Sequence, residues 1–134
     1  MAYRVKRIDP FWLTTPFVPG LALAAGAVAL LAARSGRTPV ALAAAAACGI
    51  AVFLATKPAL SGVFAVFGLL GGVVTFLAGP GGGLTPQMRV LATAGFSVFY
   101  MVLMDGVVLA VCALYNLFTR AGLGGFAIDV ESRV

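Results

Sequence analysis

Apolar residues fall into four long runs, separated by short breaks rich in charge, proline or glycine. The runs cover 17–33, 40–56, 59–79 and 86–120, and the breaks are RSGRTP at 34–39, Lys57-Pro58, and GPGGGL at 79–84. At the helical rise the first run is about 26 Å long, short but sufficient to cross a hydrocarbon core with its flanks. A single helix over 40–79 would reach about 60 Å, twice that core, and Pro58 disfavours helix at Lys57, so the pattern divides there. It predicts an all-α membrane protein: four transmembrane helices in a single membrane domain, 1–134, with tails 1–10 and 125–134.

The fourth run is the longest. Thr85-Pro86 reads as an N-cap and first-turn proline. About 50 Å of helix exceeds the membrane, so the segment must tilt, protrude or break, and Asp105-Gly106 is the expected break point. Arg120 falls in the last turn, where a cation suits the helix dipole, and Gly122, Gly124 and Gly125 end the run.

Outside the runs the period changes to two. Residues 4–8 alternate imperfectly, and 126–131 place Phe126, Ile128 and Val130 opposite in phase to Ala127, Asp129 and Glu131. Four crossings bring both tails to one side, so a short antiparallel two-stranded ribbon is expected, with Arg4 and Lys6 facing Asp129 and Glu131. Phe11 and Trp12 belong at a membrane interface, on the same face as Tyr115 and Phe118. Asn116, next to Tyr115, can bond to freed helix carbonyls or to a neighbouring tail.

Composition agrees with lipid as the solvent. The chain is 62% hydrophobic and 10% charged, against about 25% charged in soluble domains. With cytoplasmic termini the inner side holds Arg4, Lys6, Arg7, Lys57, Arg120 and Arg133, and the outer side Arg34, Arg37 and Arg89. That asymmetry predicts a multi-pass protein of a bacterial cytoplasmic (inner) membrane with both termini inside. The cluster Arg4, Lys6, Arg7 suits anionic lipid. No basic run tracks phosphates, so no nucleic-acid partner is expected.

Candidate chemistry is sparse. The chain has no histidine, which removes the commonest general base and metal or haem ligand. Cys48 and Cys112 lie in apolar runs without CxxC spacing and read as small hydrophobes. The glycines at 79–84 lack the strand–loop–helix context of a phosphate loop. No catalytic residue, cofactor or metal is expected, and no enzyme. Gly68 and Gly72 form a G-x-x-x-G pair, serving either packing within the chain or a homodimer face. Asp105 is the one acid inside an apolar run. Counted from Phe118 at the inner interface, it lies about 20 Å deep. It is expected to face protein or water rather than lipid tails: protonated and hydrogen-bonded, in a wet break beside Gly106, or lining a proton or small-cation path.

The opening Val5-Lys6-Arg7-Ile8-Asp9-Pro10-Phe11-Trp12 and the closing Tyr115-Asn116-Leu117-Phe118 through Gly124-Gly125-Phe126 to Val130 resemble a family of small bacterial membrane proteins of unknown function. Its members begin with a K-x-I-D-P-[W/F] stretch and end with a Y-N-L…G-G stretch after an apolar helix. The resemblance covers roughly the first 20 and last 40 residues. Arg120 stands near the family's basic position, while Phe126-Ala127 replaces its aliphatic–acid pair, and the middle helices depart from its plainer pattern. The resemblance implies a membrane module with strand tails and no particular activity. The resulting expectation is a non-enzymatic accessory subunit or homo-oligomeric scaffold in the lipid bilayer. The alternative is a proton or small-cation channel or transporter component using Asp105.

Overall fold

The computed structural model of the chain describes residues 2–4, 7–12, 15, 17–123 and 127–129. Its body is helical. Helix α1 spans Phe17–Arg34, α2 Thr38–Ala55, α3 Pro58–Gly72 and α4 Pro86–Arg120. The last turn of α3 widens into π geometry over Val73–Leu77. There Ala78 N–H bonds to the Val73 carbonyl at 2.8 Å, and the Thr75 hydroxyl takes the Gly71 carbonyl at 2.7 Å. With that turn included, four helices among the described residues are long and apolar enough to cross a membrane.

Local chemistry sets the boundaries. Gly36 adopts φ +73°, closing α1 while Arg37 N–H bonds to the Ala32 carbonyl. Lys57, held extended before Pro58 at φ −59°, ψ 129°, separates α2 from α3 as the proline requires. Thr85 caps α4 by accepting from Met88 N–H at 3.3 Å. Gly122 at φ +77° ends it, with Leu123 N–H reaching back to the Phe118 carbonyl. Gly124 and Gly125 lie outside the described residues.

Helix α4 does not break at Asp105-Gly106; all 35 residues are helical. A glycine inside a helix weakens it by about 1 kcal/mol without interrupting its hydrogen bonds, and here the flanking apolar turns carry the helix through. Gly106 faces α2 without a close approach: a methyl group there would make ordinary contact with Val52 at 3.9 Å.

The helices form two antiparallel hairpins, α1–α2 and α3–α4, joined by a lighter contact of α2 with α4. The apolar core among the described residues is small: Ala25, Ala32, Ala51, Ala55 and Cys112. Large side chains such as Leu23, Leu30 and Phe99 are instead 65–77% exposed. Helices that meet through small residues and turn their bulk outward are built for lipid, where leucine gains nothing by burial.

At the ends, strand β1 (Ala2–Arg4) pairs antiparallel with β2 (Ala127–Asp129). Each strand is described over three residues, and residues 7 and 8 of the alternating stretch 4–8 are not strand, while 5, 6, 126, 130 and 131 lie outside the described residues. Ala2 stands opposite Asp129, Tyr3 opposite Ile128 and Arg4 opposite Ala127, so Arg4 shares the face of Asp129 as expected but is offset from it by two residues. Lys6, Glu131 and Arg133 lie outside the described residues.

A buried polar seam between helices three and four

Thr93, Ser97 and Asp105, spaced at multiples of four along α4, meet α3. Methyl groups built on Gly72 and Gly68 would lie 3.1 Å from Thr93 Cα and 2.9 Å from Ser97 Cα. The two glycines therefore serve packing within the chain, letting the helix backbones touch. The hydroxyls at this contact stay inside it. Ser97 donates to the Ala65 carbonyl at 2.7 Å, and Thr93 to its own helix at Arg89 and, at 3.4 Å, to Gly72.

Asp105 continues the row. It is fully buried, and the Ser61 hydroxyl donates to its Oδ2 at 2.6 Å. Its Oδ1 has no partner among the described residues. Ser61 and Thr56 are themselves 1% exposed, and Thr56 returns its hydroxyl to the Val52 carbonyl at 2.8 Å, closing the end of α2. Asp105 thus faces protein, as its sequence context required. Ser61 lies one turn from Lys57, so Asp105 sits about 6 Å along the helix from the level where α2 turns into α3. Beyond that level α4 continues to Arg120.

Around this end runs the stretch 7–12. Trp12 N–H bonds to the Ala55 carbonyl at 2.7 Å, and Lys57 N–H to the Pro10 carbonyl at 2.9 Å. Phe11 and Thr56 form an isolated antiparallel bridge. Farther out, Asn116 holds Ile8 at both backbone groups: Ile8 N–H donates to Oδ1 at 2.9 Å, and Nδ2 donates to the Ile8 carbonyl at 2.8 Å. One side chain reproduces the two bonds of a β-bridge. Trp12 is 58% exposed beside Lys57, a pairing typical of an interface. Tyr115, next to Asn116, lies at the level of Ile8, toward the same end of the bundle as Trp12. Arg120 is in the last turn of α4.

The cysteines are free. Cys48 Sγ donates to the Ala22 carbonyl at 3.2 Å and so belongs to the α1–α2 contact. Among the described residues no cluster of His, Cys, Asp or Glu suited to a metal occurs. Between α2 and α4 lies an open groove of about 760 Å³, walled by Ala45, Gly49 and Phe53 on one side and Gly95, Phe99 and Val102 on the other. Its walls are apolar, so it offers no polar group to orient a substrate.

No protein-family model, no curated protein and no solved structure matches this chain.

The sequence singled out Asp105, Asn116, Gly68 and Gly72, and each takes part in a defined contact. It missed Ser61 and Ser97. Their signal was present: a hydroxyl within an apolar run, four residues from a small residue that faces another helix.

Proposed function

We propose that this integral membrane protein is a non-enzymatic accessory subunit or homo-oligomeric scaffold of a bacterial cytoplasmic membrane, with both termini cytoplasmic. The observation that carries the reading is the use of the polar side chains inside the bundle. Ser61, Asp105, Thr93, Ser97 and Cys48 bond within or between helices, and bulky apolar side chains face outward. Such a body holds its own shape and offers its surface to lipid or to other chains. The paired ends support an assembly role, because an isolated two-stranded ribbon is marginal in water and gains from a further contact. The resemblance of the two end stretches to a small bacterial membrane family agrees: Ile8 and Asn116, one from each stretch, bond to each other.

Purification in a mild detergent that preserves complexes, followed by mass measurement and identification of bound chains, tests the reading. An oligomer or a stoichiometric foreign subunit is expected. A lone monomer under those conditions, and in vesicles, overturns it.

The unpaired Asp105 Oδ1 favours a second reading, a proton or small-cation path. A ring of Asp105 carboxylates around an oligomer axis fits poorly, because the residue is enclosed within one chain. Equal proton flux into liposomes carrying the wild type and Asp105→Asn removes this reading; loss of flux in the variant supports it.

A further inference from the structure

Asp105, Cys112 and Asn116 stand seven and four residues apart on α4, within about 40° of one another around the helix. They share one face, and what covers that face changes along it. At Asp105 it is α3, through Ser61. The two helices run antiparallel, so Lys57, one turn before Ser61, stands level with about Leu109 on α4. Cys112 and Asn116 therefore lie beyond the turn from α2 into α3. Cys112 is nevertheless only 7% exposed. The stretch 7–12 crosses the face at this height. It is bonded to Asn116 at Ile8 and to the α2–α3 turn at Pro10 and Trp12, and Pro10 is itself buried. Its other side faces water: the Arg7 and Asp9 side chains are 60% and 48% exposed and 3.9 Å apart.

A stretch so placed closes the end of the polar seam. Beneath it Thr56, Ser61 and Asp105 are shut from solvent, and Asp105 Oδ1 has no partner among the described residues. An enclosed carboxyl oxygen lacks the hydrogen bonds that water would give it, which costs free energy for as long as the site stays dry. Against that cost stand two bonds at Ile8 and one each at Pro10 and Trp12. A short segment held by few bonds, with its outer side in water, opens locally more often than the helices under it. Asn116 is the latch, because one side chain supplies both Ile8 bonds.

We propose that residues 7–12 form a strap over Asp105, latched by Asn116: closed, it keeps water from the carboxyl, and released, it lets water in along the face that carries Cys112. The device goes beyond the scaffold reading, and it operates whether or not Asp105 conducts.

The test uses the full chain in nanodiscs of phosphatidylcholine and phosphatidylglycerol. A charged thiosulfonate reagent reaches thiols from water and not through lipid. Three single-thiol forms report: native Cys112 with Cys48→Ala, Ser61→Cys with Cys48→Ala and Cys112→Ala, and native Cys48 with Cys112→Ala. Ser61→Cys keeps Asp105 and a donor beside it. Adding Asn116→Leu should speed labelling at Cys112 and at position 61 by about tenfold or more, and leave Cys48, in the α1–α2 contact, unchanged. Trp12→Pro, which removes the N–H bonded to Ala55, supplies a second release and should act in the same direction. No change at Cys112 with Asn116→Leu and Trp12→Pro combined overturns the strap. A faster Cys112 with an unchanged position 61 shows that the helices alone shut Asp105 off, and overturns it too. Equal acceleration at Cys48 shows general loosening and does the same. The mass of the complex, which tests the scaffold reading, is measured separately and does not decide this one.

Discussion

Ser61 and Asp105 show what a single polar pair does inside an apolar body. Removing the hydroxyl with Ser61→Ala strands both carboxyl oxygens, and interhelical hydrogen bonds in membrane proteins contribute roughly 0.6–2 kcal/mol. A loss of that size is expected in an unfolding titration with denaturing detergent. Asp105→Asn keeps an acceptor for Ser61 and should fold like the wild type, whereas Asp105→Leu leaves the Ser61 hydroxyl unpaired and should lose as much as Ser61→Ala or more. Equal stability of the Asn and Leu variants would refute the pairing. The glycines sort in the same way. A methyl group at Gly68 meets the Ser97 backbone at 2.9 Å, while at Gly62 it meets nothing within 4 Å. Gly68→Ala should therefore destabilise the α3–α4 contact by about 1–3 kcal/mol. Gly62→Ala should stabilise α3 by up to about 1 kcal/mol through helix propensity. The same titration reads both, and the opposite order would show that α3 and α4 meet through a different face.

Among elements, the stretch 7–12 connects the ends of the chain to the helices. Its contacts are backbone bonds at Ile8, Pro10 and Trp12, and only the Asn116 end of them depends on a side chain. Asn116→Leu removes both Ile8 bonds while keeping a side chain of similar size. Hydrogen exchange at Ile8 should then quicken by about tenfold, with exchange in α1 unchanged. Unaltered protection at Ile8 would mean that the Pro10 and Trp12 contacts hold the stretch unaided. This level also shows how far the sequence carries. Hydrophobic run length and Lys57-Pro58 mark the four helices to within two residues at most edges, because lipid imposes length and proline imposes a break. The π turn at Val73–Leu77 was not legible, since Thr75 bonding back to Gly71 leaves no trace in hydropathy. Nor was the partner of Asp105, because Ser61 is 44 residues away and nothing local couples them. The strand register was legible only in part: alternation sets the face that Arg4 shares with Asp129 but not which residue stands directly opposite.

On the scale of the whole molecule, the two hairpins are unequal. The α3–α4 hairpin carries the polar seam and the extended helix, while α1–α2 closes on alanines and a cysteine, and α2 touches α4 along a thin line beside the apolar groove. The charges are unequal as well, with Arg34, Arg37 and Arg89 at one end of the bundle and Lys57, Arg7 and Arg120 toward the other. Arg89 at the first end is tied to the loop, its guanidinium donating to the Leu84 and Pro80 carbonyls at 3.3 Å. Adding Arg4, Lys6 and Arg133 of the tails makes the sequence count six against three, and basic residues in short loops favour the cytoplasmic side. The prediction is that Lys57 and the two ends of the chain lie inside, and the turns at Ser35 and Gly82 outside. Single cysteines at Ser35, Lys57, Gly82 and Val134 in a Cys48→Ala, Cys112→Ala background can be labelled in intact cells with a reagent that does not cross the membrane. Ser35→Cys and Gly82→Cys should react in intact cells, and Lys57→Cys and Val134→Cys only after the membrane is opened. The reverse pattern would invert the topology and place the extended end of α4 outside the cell. A mixed pattern, with Ser35 and Gly82 on different sides, would contradict the two-hairpin arrangement itself, because both turns sit at the same end of the bundle.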